Sequence, residues 1–169
     1  MSKKMRLAST VVLLLVVASI ALAHPHFRKS VTAQLPGEVE ATITYGTTPA
    51  NETHAQNAET GTFITPRQPT LTLSGEVKAG SVTLAAGDYT IGVIKNSAND
   101  WTMALYQGKL ARGDTPDMSK VIKLDSMYSA SQGTSDHMLL DITPGAGKFE
   151  GKAVLTLHFG SMYLAGALS

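Results

Sequence analysis

Five histidines are the residues of this chain best suited to chemistry: His24, His26, His54, His137 and His158. Two of them stand one residue apart in "ALAHPHFRKS", directly after a hydrophobic run. If the chain is cut before His24, the new terminal amine and the ring Nδ1 of that residue form a two-nitrogen claw. A second histidine across the site completes three nitrogens in a T, a donor set that suits Cu(II) and needs no thiolate. The expected metal residues are therefore His24, His26 and His137, and the expected metal is copper. A second copper mode, in which a histidine at position three binds with deprotonated backbone amides, is blocked because Pro25 has no backbone N–H. The plainer alternative is that His24 and His26 are polar residues of a flexible terminus, and it outweighs the metal reading on sequence alone.

Other chemistry finds less support. Asp136 beside His137 can be a His–carboxylate pair, but a solvated pair on a strand edge is the simpler reading. His158, between Leu157 and Phe159, reads as a packing residue. Ser126, Ser129, Ser131 and Ser135 lack a Gly-x-Ser-x-Gly elbow. Asp88, Asp100, Asp114, Asp117 and Asp125 lack calcium-loop spacing. Gly145-Ala146-Gly147 lacks the strand-to-helix setting of a phosphate loop. Asn51-Glu52-Thr53 matches a glycosylation sequon that matters only in a eukaryotic secretory route. Tyr45, Trp101, Tyr106, Tyr128 and Tyr163 can line a carbohydrate or peptide groove, or serve as core and cross-strand partners. There is no cysteine, which excludes disulfides, thiol catalysis, thiolate metal sites and a lipoprotein anchor.

The frame that must position these groups begins with an N-terminus in three parts. Lys3, Lys4 and Arg6 form a basic stretch, Val11 to Ala18 an apolar core, and Ala21-Leu22-Ala23 a small-residue cleavage site. That is the layout of a cleaved secretory signal, and the apolar core is short for the ~20 residues of a membrane span. Residues 1–23 are thus expected to be a signal peptide and residues 24–169 a single domain, placing the protein in the periplasm or outside the cell. Loss of residues 1–23 leaves 11 basic against 13 acidic groups and a net charge of −2. Such a chain offers no electrostatic reason to bind nucleic acid or an anionic membrane, and no membrane span is expected after residue 23.

From there on the pattern is β. Val39 to Tyr45 alternates apolar and polar residues, as do Leu71 to Leu73, Val82 to Leu84 and Thr90 to Ile94. Trp101 to Tyr106, Val121 to Leu124, Met138 to Ile142, Val154 to Phe159 and Met162 to Leu168 complete the series. Period-two alternation buries one face of a strand. Turn residues at 86–88, 96–100 and 144–147 predict tight connections, the first of them a hairpin between Leu84 and Thr90. Eight or nine short strands with no helical stripe predict an all-β fold, a single antiparallel β-sandwich. Two segments, 46–68 and 107–120, read as loops, and loops of such length are functional or mobile. Part of 46–68 is expected to be removable without loss of fold.

The stretch "VTLAAGDYTIGVIKNSANDWTMALYQ", residues 82–107, resembles the bacterial domain-of-unknown-function family 2911. The resemblance rests on Ala86-Gly87-Asp88-Tyr89 and Trp101-Thr102, with Pro25-His26, Thr42-Ile43-Thr44-Tyr45-Gly46 and the closing strands "AVLTLHFGSMYLAGAL" in agreement. His158 stands where that family usually has tryptophan. The family's Gly-Arg pair and Trp-Arg-x-Gly-x-Asn-Glu cluster are absent from this chain. The resemblance implies a secreted β-domain and implies no activity.

The function expected from these features is a secreted, non-enzymatic binding or interaction domain for an unidentified ligand or protein, its binding surface built by segment 46–68 and the sandwich end that it covers. A copper-binding protein comes second and a hydrolase third.

Overall fold

The structure is a computed structural model, and it describes residues 27–169. The expected signal segment and the residues 24–26 lie outside the described residues. The described chain is an all-β sandwich built from thirteen strands in three antiparallel sheets, with no closed barrel.

The first sheet contains β1 (Arg28–Leu35), β2 (Val39–Gly46), β3 (Phe63–Ile64), β4 (Thr70–Leu73), β7 (Gly87–Ser97), β8 (Asp100–Gln107) and β9 (Val121–Lys123), while β5 (Val77–Ala79) and β6 (Val82–Leu84) form a two-stranded ribbon. The order across the large sheet is β1-β2-β4-β7-β8-β9, and β3 pairs with β7 beyond the end of β4. The second sheet runs β10-β13-β12-β11, from β10 (Ser126–Ser129), β11 (Ser135–Pro144), β12 (Ala153–Gly160) and β13 (Met162–Leu168). One short helix, α1 (Glu52–Gln56), and two single turns of 3-10 helix complete the described residues.

The alternation seen in the sequence explains the layering. In β2, Val39, Ala41, Ile43 and Tyr45 are buried and the residues between them are not. The strand β7 is buried continuously from Tyr89 to Lys95 because it is central and covered on both faces. Tyr89, Ile91 and Val93 pack inward against Trp101, Met103 and Leu105 of β8 and against Met138, Leu140, Leu155, Leu157 and Leu164 of the opposite sheet. Ile94, Ala104 and Tyr106 point the other way, under a cover made by Phe63, Leu110 and Val121.

The chain crosses between the sheets at both sides. After β2, Thr48 accepts from the Met138 N–H and the Ala50 N–H donates to Asp136, so residues 48–50 add to the edge of β11. After β9, the chain enters the second sheet as β10, and the Ser126 hydroxyl accepts from the Met103 N–H on the way.

Three expectations change. Ala86-Gly87-Asp88 is not a hairpin: β6 pairs with β5 through the turn at Gly80-Ser81, whereas β7 pairs with β3, β4 and β8. The chain changes partners at this turn, which period-two alternation on either side cannot reveal. Strands β1, β3, β5 and β10 were not expected. They are short or only partly buried, so the apolar signal along them is thin.

Segment 46–68 differs most from expectation. It holds α1 and β3, and it is tied down along its length. Asn51 caps α1 by accepting from the His54 N–H. The Glu52 carboxylate takes the N–H and the hydroxyl of Ser161, in the turn between β12 and β13. Lys95 is buried, and its ammonium donates to the carbonyls of Gln56 and Ala58 at the end of α1. Gly61 donates to the Lys95 carbonyl, and Thr65 to that of Ile91. Deleting the part that holds α1 and β3 would remove strand pairing and leave Lys95 without acceptors, so such a deletion is expected to cost stability.

Candidate functional site

The two sheets part at the end where the β7–β8 hairpin faces the β12–β13 turn, and segment 48–67 roofs the gap. The result is a cleft of about 380 Å³. Val93 and Trp101 supply one wall, Leu157, Phe159 and Met162 the other, and Ala55 and Ile64 come from the roof. Each is there for a local reason. Trp101, the second residue of β8, lies on its inward face, in phase with Met103 and Leu105. Leu157 and Phe159 lie two apart on β12 and so share a face. Ala55 is set by α1, which Glu52 and Lys95 hold from either end.

The rim is polar. Thr48, Asn51, His54, Thr65 and Arg67 line it, and Asn51, His54 and Arg67 are exposed. No acidic residue lines the cleft. The nearest carboxylate along the roof, Glu52, is engaged by Ser161. Arg67 and its neighbour Gln68 both have left-handed backbones, with φ of 60° and 42°. Two successive non-glycine residues in that region are strained, and such strain gathers at sites where a side chain must be held in one place. Arg67 makes no ion pair among the described residues.

Trp101 is 2% exposed, and its indole Nε1 is a buried donor without an acceptor among the described residues. A buried orphan donor carries the cost of its lost hydration. The Lys95 ammonium sits 5.8 Å from the centre of the same ring, within range of a cation–π attraction. Behind the roof, Tyr128 has a phenol held above its usual pKa, first by burial and then by the negative charges of Glu52 and Asp100.

The residues singled out from sequence fall as follows. Trp101 alone of the five aromatic residues lines the cleft, while Tyr45 and Tyr106 are core residues. His54 is at the rim, on α1. His158 is half-buried and packs edge-on against Tyr163, with ring centres 5.6 Å apart, as a packing histidine should. His137 is half-buried at the bulged start of β11 and forms no ion pair with Asp136. Neighbours on an extended strand point to opposite faces, which separates the two side chains. His24 and His26 lie outside the described residues. Among the described residues no group of three or more histidine or acidic side chains is placed to hold a metal. The cleft as a whole could be anticipated only in its roof. Its walls come from two hairpins distant in sequence, and each of the five wall residues reads as ordinary core on its own strand.

No helix of the described residues is long and apolar enough to cross a membrane. No family model, curated protein or solved structure matches the chain.

Proposed function

We propose that the protein is a non-enzymatic binding domain, acting in the periplasm or outside the cell, that holds a small and mostly apolar ligand in the cleft beneath residues 48–67. The observation that carries this reading is the cleft itself. An apolar pocket of about 380 Å³ with a few polar groups at one side has the size and lining of small-molecule sites, which run from ~300 to ~1,000 Å³. The location follows from the signal-like N-terminus, and the resemblance of residues 82–107 to family 2911 is part of the same proposal.

The chain contains one tryptophan, and it lines the cleft, so its emission reports occupancy directly. A small uncharged apolar probe such as octanol is expected to bind at one equivalent and to change Trp101 emission. Ala55→Phe, which fills the cleft from the roof, is expected to abolish that binding while leaving the circular dichroism spectrum unchanged. Equal probe binding by the variant would refute the reading.

One observation favours a second reading, copper binding through His24, His26 and His137. The first described residue, Phe27, exchanges hydrogen bonds with Thr47: its carbonyl accepts from the Thr47 N–H and its N–H donates to the Thr47 hydroxyl. Thr47 lies two residues before Pro49, the bridge partner of His137. Secreted protein beginning at His24 is then expected to show a nitrogen-ligated type 2 Cu(II) signal by electron paramagnetic resonance at one equivalent. A different mature N-terminus, or no such signal, ends this reading.

A further inference from the structure

Resting on the cleft reading above, we infer that the ligand is a small amphipathic carboxylate, its apolar body against Trp101, Leu157, Phe159 and Met162 and its carboxylate on Arg67. Three observations carry it. The first is charge. No lining residue is acidic, and Arg67 is the one lining side chain with a permanent charge. It stands at the exposed rim with no ion pair among the described residues. A single guanidinium over an apolar hollow complements a single anionic head on an apolar body, and its planar fork matches a carboxylate with two parallel hydrogen bonds.

The second is the competition for that charge. Of the other cations near the cleft, Lys95 spends its ammonium on the carbonyls of Gln56 and Ala58 and Arg28, which shares a separate hollow with Arg67, does not line the cleft; Glu52 is held by Ser161. Lys95 and Glu52 are thus engaged within the protein, and Glu59, the other carboxylate of the roof, does not line the cleft, which leaves Arg67 for an outside partner. The N-terminus of α1 offers no rival anion site, because the helix has only five residues and Asn51 already accepts from the His54 N–H.

The third is size. At ~30 Å³ for each water-sized group, about 380 Å³ admits roughly a dozen non-hydrogen atoms. That is the size of a medium-chain fatty acid. Arg67 stands at the exposed rim and the apolar walls are buried or half-buried, so the chain of the ligand enters tail first.

The test uses the full mature chain and titrates Trp101 emission with decanoate, decanol and decylammonium at pH 8. Decanoate is expected to bind with a Kd on the order of tens of micromolar, and decanol and decylammonium at least about tenfold more weakly. Arg67→Gln is expected to bring decanoate down to the affinity of decanol and leave decanol unchanged, while Arg67→Lys retains part of the preference. The Arg67→Gln melting curve serves as the control for folding. Decanol binding as tightly as decanoate would overturn the carboxylate inference and leave the apolar cleft standing. A preference for decanoate that survives in Arg67→Gln would also overturn it. If none of the three probes alters Trp101 emission, the binding function falls with it.

Discussion

Gly160→Ala tests how the roof of the cleft is held. Gly160 has φ +63°, and a Cβ built there falls 2.0 Å from Glu52 Oε1 and 2.6 Å from its Cδ and Cγ. Glu52 must therefore withdraw, and with it go the bonds that its carboxylate accepts from the N–H and hydroxyl of Ser161. A left-handed alanine costs about 1 kcal/mol. Loss of a half-exposed pair of bonds to a charged acceptor adds about 1–3 kcal/mol, since water replaces part of them. The sum, roughly 2–4 kcal/mol, corresponds to a fall of roughly 5–12 °C in Tm for a domain of this size. The cycle with Glu52→Ala separates the parts. In the Glu52→Ala background the clash is gone, and Gly160→Ala is expected to cost only the backbone share of about 1 kcal/mol. Urea unfolding followed by Trp101 emission measures all four proteins. Additive effects of the two substitutions would refute the claim that Gly160 serves the Glu52–Ser161 contact.

Two further perturbations address the frame and its charges. Gly92→Ala places a Cβ 2.5 Å from both the Ile64 carbonyl and Phe63 Cζ, so it is expected to push β3 off β7 and cost at least about 1–3 kcal/mol in urea unfolding, with faster amide exchange at Phe63 and Ile64. Asp88 takes a 2.6 Å bond from the Thr72 hydroxyl and lies 2.9 Å from the Lys109 ammonium. These hold its carboxyl below the usual aspartate value of 3.8, the Thr72 bond contributing most. The lower folded value means that the contribution is full above about pH 3.8 and is lost as the pH falls further. Asp88→Asn is thus expected to be less stable than the parent at pH 7, with the gap closing below pH 3.8 in parallel melting curves; a gap that widens on acidification would contradict the assignment.

What the sequence disclosed of this molecule follows from how far each signal reaches. Strands β2, β7, β8, β11, β12 and β13 were legible because each carries three or more inward residues in strict alternation, as Val39, Ala41, Ile43 and Tyr45 do. Two-residue β3 has no room for alternation, and its place is fixed by Phe63 packing over Gly92 and Tyr106. The failed hairpin at residues 86–88 is a matter of partner choice, which local pattern does not encode. The same limit explains the site. Segment 46–68 was legible as a long connection from its length and its prolines and glycines, but not as a folded roof, because Glu52 finds Ser161 and Lys95 finds Gln56 only in three dimensions. Trp101 was recognisable as an aromatic residue with two possible uses, and only the gap between Val93 and Leu157 decides for the cleft.

The most direct test of the central claim uses that single tryptophan. Its indole N–H gives one cross-peak in a 15N–1H nuclear magnetic resonance spectrum, from a donor that has no acceptor among the described residues. Titration with decanoate is expected to move this peak saturably, together with the amides of Ala55, Ile64 and Phe159. An indole peak that stays in place while decanoate is raised to millimolar concentration would contradict the account.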